Sequence, residues 1–160
     1  MQYFTDLDMK KTASLNTPEQ APTIDLDALA WTYSQKSGEL DRDDAKVATG
    51  YSGAGTGKNN PEMQHIHNVG PIPQGEWTIT GPPVDTKTHG PYVLKLAPNT
   101  ETETFGRSGF LMHGDSKDHP GTASQGCIIV PKSVREQVWN SGDRDLKVIG
   151  DSSKEEKEKV

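Results

Sequence analysis

The chain has 160 residues, enough for one domain with a real core and not comfortably enough for two. Hydrophobic residues make up 31%, while glycine and proline number 16 and 11, a composition that suits a small, loop-rich, β-dominated protein better than a helical bundle. A net charge of -6 argues against a nucleic-acid partner, which needs clustered Lys and Arg, and no apolar run reaches the length of a membrane span.

From Met1 to about Thr23 the sequence is polar, and Pro18 and Pro22 break any helix that Leu7 and Met9 would start. Residues 1–25 are therefore expected to be an arm or linker, and residues 26–150 the folded domain. Trp31 and Tyr33 alternate with Ala30 and Thr32, Lys36-Ser37-Gly38-Glu39 supplies a turn, and Lys46-Val47-Ala48-Thr49 returns as the partner strand of a hairpin. The glycine-rich run from Tyr51 to Lys58 invites comparison with a phosphate-binding loop. That motif needs Ser or Thr after its lysine at the start of a helix, whereas Asn59-Asn60-Pro61 follows here, so the run reads as a flexible surface loop.

His65-Ile66-His67 is the next feature with chemical potential. Alternate residues of a strand share one face, so these two imidazoles with His113 and Asp115 would make a zinc site on paper. No spacing here matches a zinc framework closely, and polar loop residues lining a groove are the preferred reading, with no metal and no cofactor expected. Pro71, Pro73 and Gly75 make a stiff turn into a strand over residues 77–80, which Gly81-Pro82-Pro83 is expected to stop. Residues 92–96 form another strand, with Tyr92, Leu94 and Leu96 on one face. Arg107 follows a polar linker and is a candidate for holding a substrate carboxylate by a bidentate pair.

The densest chemistry lies between Gly109 and Pro131. Phe110-Leu111-Met112 and Ile128-Ile129-Val130 look like strand ends flanking a polar loop with His113 at one end and Cys127 at the other. Cys127 is the only cysteine and has no partner for an internal disulfide, so with histidines in the same chain it is a candidate nucleophile. His113 is the natural base to take its proton. Gly126 allows a tight turn whose amides, at Gly126 and Cys127, would point at a developing oxyanion, and Ser124 would shape that turn. The competing reading is that Cys127 is a small buried hydrophobe beside an apolar strand. After the motif, Pro131 opens a short helix with Val134 and Val138 at i and i+4, and residues 146–149 form the last strand. The mixed-charge run over residues 151–160 is expected to be a disordered or frayed tail.

The order His113-Gly114, a loop, then Ser124-Gln125-Gly126-Cys127 and apolar residues resembles the signature of the L,D-transpeptidase (YkuD-like) family. It is most similar to the Tlde1, or DUF2778, branch of type VI secretion effectors. Asn68-Val69-Gly70-Pro71-Ile72-Pro73-Gln74-Gly75-Glu76-Trp77-Thr78-Ile79 resembles the segment that precedes a strand in that family. Gln125 stands where housekeeping members carry His, and Ile129 where they carry Arg or Asn; both are more at ease in the effector branch.

The resemblance implies a mainly β fold, a small YkuD-like sandwich or partly closed barrel with one short helix. It implies a cysteine enzyme acting on the tetrapeptide stem of peptidoglycan, as an L,D-carboxypeptidase, an L,D-transpeptidase or both. Cys127, His113, Ser124 and Gly126 would be catalytic, and Arg107, Gly114, Asp115, His119 and Gln125 would contact substrate. His119 also lies in the loop and competes for the role of base, but His113 ends a strand and falls on the family's histidine position. A cognate immunity protein and a secretion-system carrier are implied partners of a monomeric toxin. The N-terminus lacks the basic-then-apolar layout of a secretory signal, so the expectation is export by a secretion system and action in the periplasm of a target bacterium. Two alternatives remain: a non-catalytic module binding a wall peptide or a partner, and a zinc peptidase using His65, His67 and His113.

Overall fold

The alternation Trp31-Thr32-Tyr33 builds strand β1 (Trp31–Ser34), with both aromatic side chains buried. A computed structural model describes residues 30–151; the expected arm at 1–25, and the expected tail beyond Asp151, lie outside the described residues. Strand β1 does not pair directly with the segment at 46–49. The charged stretch between them forms its own strand, β2 (Glu39–Arg42), antiparallel to β1, and β3 (Ala45–Thr49) pairs with β2. Leu40 anchors β2 in the core, and Asp43 and Asp44 turn the chain with φ of 54° and 64°, the left-handed geometry that a two-residue hairpin loop requires and Asp tolerates.

The remaining elements are β4 (Tyr51–Ser52), β5 (Gly75–Thr86), β6 (Gly90–Pro98), β7 (Leu111–His113), β8 (Ile128–Ile129), helix α1 (Lys132–Asn140) and β9 (Asp145–Ile149). All the strands join one mixed sheet in the order β3-β2-β1-β9-β5-β6-β7-β8-β4. The last strand enters the middle, parallel to β1 and antiparallel to β5, while β7 and β8 run parallel near one edge. The fold is mainly β with one α-helix among the described residues, as the sequence suggested.

Edge strands β3 and β4 lie at opposite ends of the order yet are separated in sequence only by Gly50. One residue spans only a few ångströms, so the sheet curls until its edges meet there. Gly50 fits because its amide donates to the Gly38 carbonyl at 2.7 Å, and a Cβ would overlap the Ile129 carbonyl oxygen. The outcome is a partly closed barrel whose hydrogen-bonded order stays open.

Strand β5 continues past Gly81-Pro82-Pro83, the stretch expected to stop it. The register with β6 shifts between Thr80 and Val84, so the prolines fall where no ladder hydrogen bond is needed. The run from Tyr51 to Lys58 is also more structured than a flexible surface loop. Tyr51 and Ser52 are strand, Gly57 is buried, the Ala54 amide donates to Val69 O at 2.8 Å, and Lys58 Nζ lies 4.3 Å from the Tyr51 ring centre.

Trp31, Tyr33, Leu40, Ile72, Trp77, Ile79 and Leu94 fill the barrel, with Trp77 edge-on to Phe110 at 4.9 Å between ring centres. Fully buried Val138 docks α1 on this core. Around the motif the residues divide cleanly by face: Phe110, Met112, Ile128 and Val130 enter the main core, while Leu111, Cys127 and Ile129 join Tyr51 in a separate cluster. The period of two along a strand puts His113 on the second face, the face that carries Cys127.

Candidate active site

Parallel pairing sets Met112 opposite Ile128 and His113 opposite Ile129, which brings Leu111 level with Cys127. The sulfur and the imidazole thus start from neighbouring strands, two positions apart along the strand direction and on one face. Cys127 is 8% exposed and His113 3%. The sulfur lies 3.9 Å from Gly109 O. Burial pushes its pKa up to about 11; the Leu111 amide and the Arg107 charge pull it down without overcoming that effect.

Burial also lowers the His113 pKa. His89 and Arg135 act in the same direction, against the opposing pull of the Gly114 carbonyl and Asp115. His113 Nδ1 lies 2.9 Å from Gly114 O, a contact that favours the tautomer with the proton on Nδ1 and leaves Nε2 as an acceptor. Both directions favour a protonated thiol and a neutral imidazole near neutral pH.

The loop that carries Cys127 is held by buried polar contacts. Ser124 Oγ accepts from the amides of Gly53 (2.8 Å) and Gly126 (3.0 Å) and donates to Cys127 O at 2.7 Å. The Gly126 amide, one of the two expected oxyanion donors, is therefore engaged by Ser124. Gly126 has φ +133°, and a Cβ there would overlap Arg107 Nη2. Arg107 is itself buried, donating to the carbonyls of Gln64, Pro71, Gly70 and Gln125, with its guanidinium 5.2 Å from the Phe110 ring centre. Asp115 ties down the other side. It accepts from the Tyr51 hydroxyl at 2.5 Å and from the amides of Ser116 and Gly121, and Tyr51 in turn accepts from the Ala123 amide. Burial alone would raise the Asp115 pKa, but Tyr51, these amides and Lys58 outweigh it and the net shift is downward. Burial and Asp115 together push the Tyr51 hydroxyl up to about 12.

A groove of about 1100 Å³ opens over this arrangement. Of the residues singled out from sequence, Arg107, His113, Gly114, Asp115, Gln125, Gly126 and Cys127 line it. Ser124 is buried beneath the turn, and His119 is exposed and is not part of the lining. His67 reaches the groove, with Nε2 3.2 Å from Phe105 O, while His65 packs edge-on to Phe105 at 6.2 Å. The zinc arrangement drawn from His65, His67, His113 and Asp115 does not form: among the described residues no three His, Cys, Asp or Glu side chains are placed to hold a metal ion.

Sequence reasoning missed three residues. His89, at the tip of the β5–β6 hairpin, lies against His113 with its ring tilted; nothing local announces it, because the approach is made by the barrel and not by the motif. Arg135, 2% exposed, donates to the carbonyls of Tyr92, Val130 and Pro91. Its place on the helix stripe between Val134 and Val138 was the available signal. Tyr51 was hidden by the glycine-rich run that follows it.

The solved structure of Bdellovibrio bacteriovorus Bd1075 shares the fold, with a TM-score of 0.51 and 15% identity, over 79% of this chain and 50% of that one. The present chain thus spans about half the length of that relative. No curated protein gives a significant match. The model of the Tlde1 domain matches residues 46–149, from strand β3 to the end of β9 and so across the whole groove, and the chain belongs to the Tlde1 domain family.

Proposed function

We propose that this protein is a peptidoglycan-modifying cysteine enzyme that cleaves the bond between the diamino acid and the terminal D-Ala of tetrapeptide stems. Membership of the Tlde1 family is consistent with an antibacterial effector of a type VI secretion system, and the site of action proposed is the periplasm of a target cell. The observation that carries the chemistry is the placement of Cys127 and His113 on one face of the parallel β7–β8 pair, in the groove, with His113 Nδ1 anchored on the Gly114 carbonyl.

The two pKa directions support a general-base mechanism. A thiol near 11 is not a resting thiolate, so His113 Nε2 takes the proton as the sulfur attacks, acting as a general base. The imidazolium then protonates the leaving amine, and D-Ala departs from a Cys127 thioester. The Nδ1 contact with Gly114 O stabilises the imidazolium that forms. The Cys127 amide serves the oxyanion, since the Gly126 amide is held by Ser124. Water resolves the thioester in an L,D-carboxypeptidase, and an incoming D-amino acid or neighbouring stem resolves it in an L,D-transpeptidase. Arg107, Gly114, Asp115 and Gln125 form the walls that hold the stem. The test is digestion of purified peptidoglycan with the stem peptides read by mass: the reading expects conversion of tetrapeptides to tripeptides or to exchanged tetrapeptides, and unchanged stems would overturn it.

A further inference from the structure

The groove has the opposite charge to the chain. The protein carries a net charge of -6, yet Arg107, Lys117, Lys132 and Arg135 all line the groove against a single carboxylate, Asp115. Among the described residues none of the four cations makes an ion pair, and the one acidic charge that acts on Arg135 is that of Glu136, which does not line the groove. Asp115, held ionised by the Tyr51 hydroxyl and two backbone amides, offsets one of the four charges, and the groove keeps an excess of positive charge.

The cations fall into two kinds. Arg107 and Arg135 are buried, and backbone carbonyls satisfy their hydrogen bonds without cancelling their charge, so they act as fixed positive sources behind the groove wall. Lys117 and Lys132 are exposed, one in the loop after β7 and one at the start of α1, and can reach a ligand directly. A cleft lined by one sign of charge and backed by low-dielectric walls concentrates ligands of the other sign.

We propose that this groove recognises carboxylates, so that the enzyme selects stem peptides whose side carboxylates are free over stems in which they are amidated. The inference rests on the stem-peptide reading above and adds the substrate's charge state to it. Lys117 and Lys132 are its specificity-determining residues, and Arg107 and Arg135 set the background field.

The test uses the full chain carrying Cys127→Ala, so that binding is measured without turnover. The probes are the synthetic tetrapeptide L-Ala–γ-D-Glu–meso-diaminopimelate–D-Ala and the same peptide amidated at the D-Glu α-carboxylate and the distal diaminopimelate carboxylate. The free acid is expected to bind roughly tenfold more tightly at low ionic strength, with the difference shrinking at about 0.15 M salt. Adding Lys117→Glu and Lys132→Glu should bring the difference to about twofold or less with the melting temperature unchanged. Equal affinity for the two peptides, no measurable binding of either, or a difference indifferent to salt and to both charge reversals would overturn the proposal. An all-L peptide of the same charge that shows the same salt-dependent preference for free acid would uphold carboxylate recognition and count against the stem-peptide reading, which keeps the two failures apart.

Discussion

The imidazole of His89 lies across that of His113, with ring centres 4.6 Å apart and planes inclined by 57°. Burial of His113 disfavours a positive charge on its ring, and the neighbouring His89 works in the same direction. With its folded pKa below the ordinary histidine value, His113 binds fewer protons than in the unfolded chain. The stability that His113 contributes is therefore fully present above about pH 6.5 and is lost as pH falls from there through its lowered pKa.

The same shift fixes the pH profile of activity. A general base that stays neutral puts the acid limb of kcat/KM below pH 6.5 and leaves a plateau through neutrality. Alkylation of Cys127 by iodoacetamide in the free enzyme should be slow at pH 7 and rise towards pH 11, because the resting thiol is protonated. Rapid alkylation at pH 6 would reveal a preformed thiolate–imidazolium pair. His89→Phe keeps an aromatic ring but removes the charge, and should move the His113 titration upward, read from its ring proton by NMR.

Replacing the base should separate the two histidines of the motif loop. His113→Gln is expected to lower kcat/KM by roughly a hundredfold or more, while His119→Gln, at an exposed position outside the groove lining, loses much less. Both variants should be compared at matched melting temperature. The reverse ranking would make His119 the base.

Ser124→Ala removes the acceptor of two buried amides and the donor to the Cys127 carbonyl in one step. Leaving buried donors unsatisfied costs about 1–3 kcal/mol each, so unfolding by urea should show a loss of about 2 kcal/mol or more. A loss below about 0.5 kcal/mol, the scale of an ordinary surface change, would mean that the turn is not held by this hydroxyl.

Glycines in the same loop should differ in tolerance. A methyl at Gly126 meets a guanidinium locked by four carbonyls, whereas a methyl at Gly121 meets only the end of the flexible Lys58 side chain at 3.0 Å. Gly126→Ala is expected to cost more stability than Gly121→Ala by about 1–2 kcal/mol, although both positions have positive φ. Equal melting temperatures would show that Arg107 yields.

Sequence legibility followed locality. Cys127, His113, Ser124 and Gly126 sit within fifteen residues, so the motif and its flanking strands could be read directly. The short apolar runs Phe110-Leu111-Met112 and Ile128-Ile129-Val130 gave away the strands, though not that these two lie side by side and parallel. Strand β2 was hidden because three of its four residues are charged and only Leu40 faces the core. The course of β5 through Pro82 and Pro83 was hidden because a register shift carries them past the ladder. His89 and Tyr51 reach the site only because the barrel curls distant segments onto it, and no local pattern encodes such a meeting; Arg135 is local to the motif, but a charged residue on a helix stripe reads as solvent-facing.

An acyl-enzyme on Cys127 can be seen by intact-protein mass spectrometry after rapid acid quench of a reaction with tetrapeptide stem. The expected result is a species heavier than the free chain by the mass of the stem less one D-Ala, present in the unsubstituted protein, lost on treatment with hydroxylamine, and absent from Cys127→Ala. D-Ala release with no such adduct at any quench time, or with full activity retained in Cys127→Ala, would contradict it.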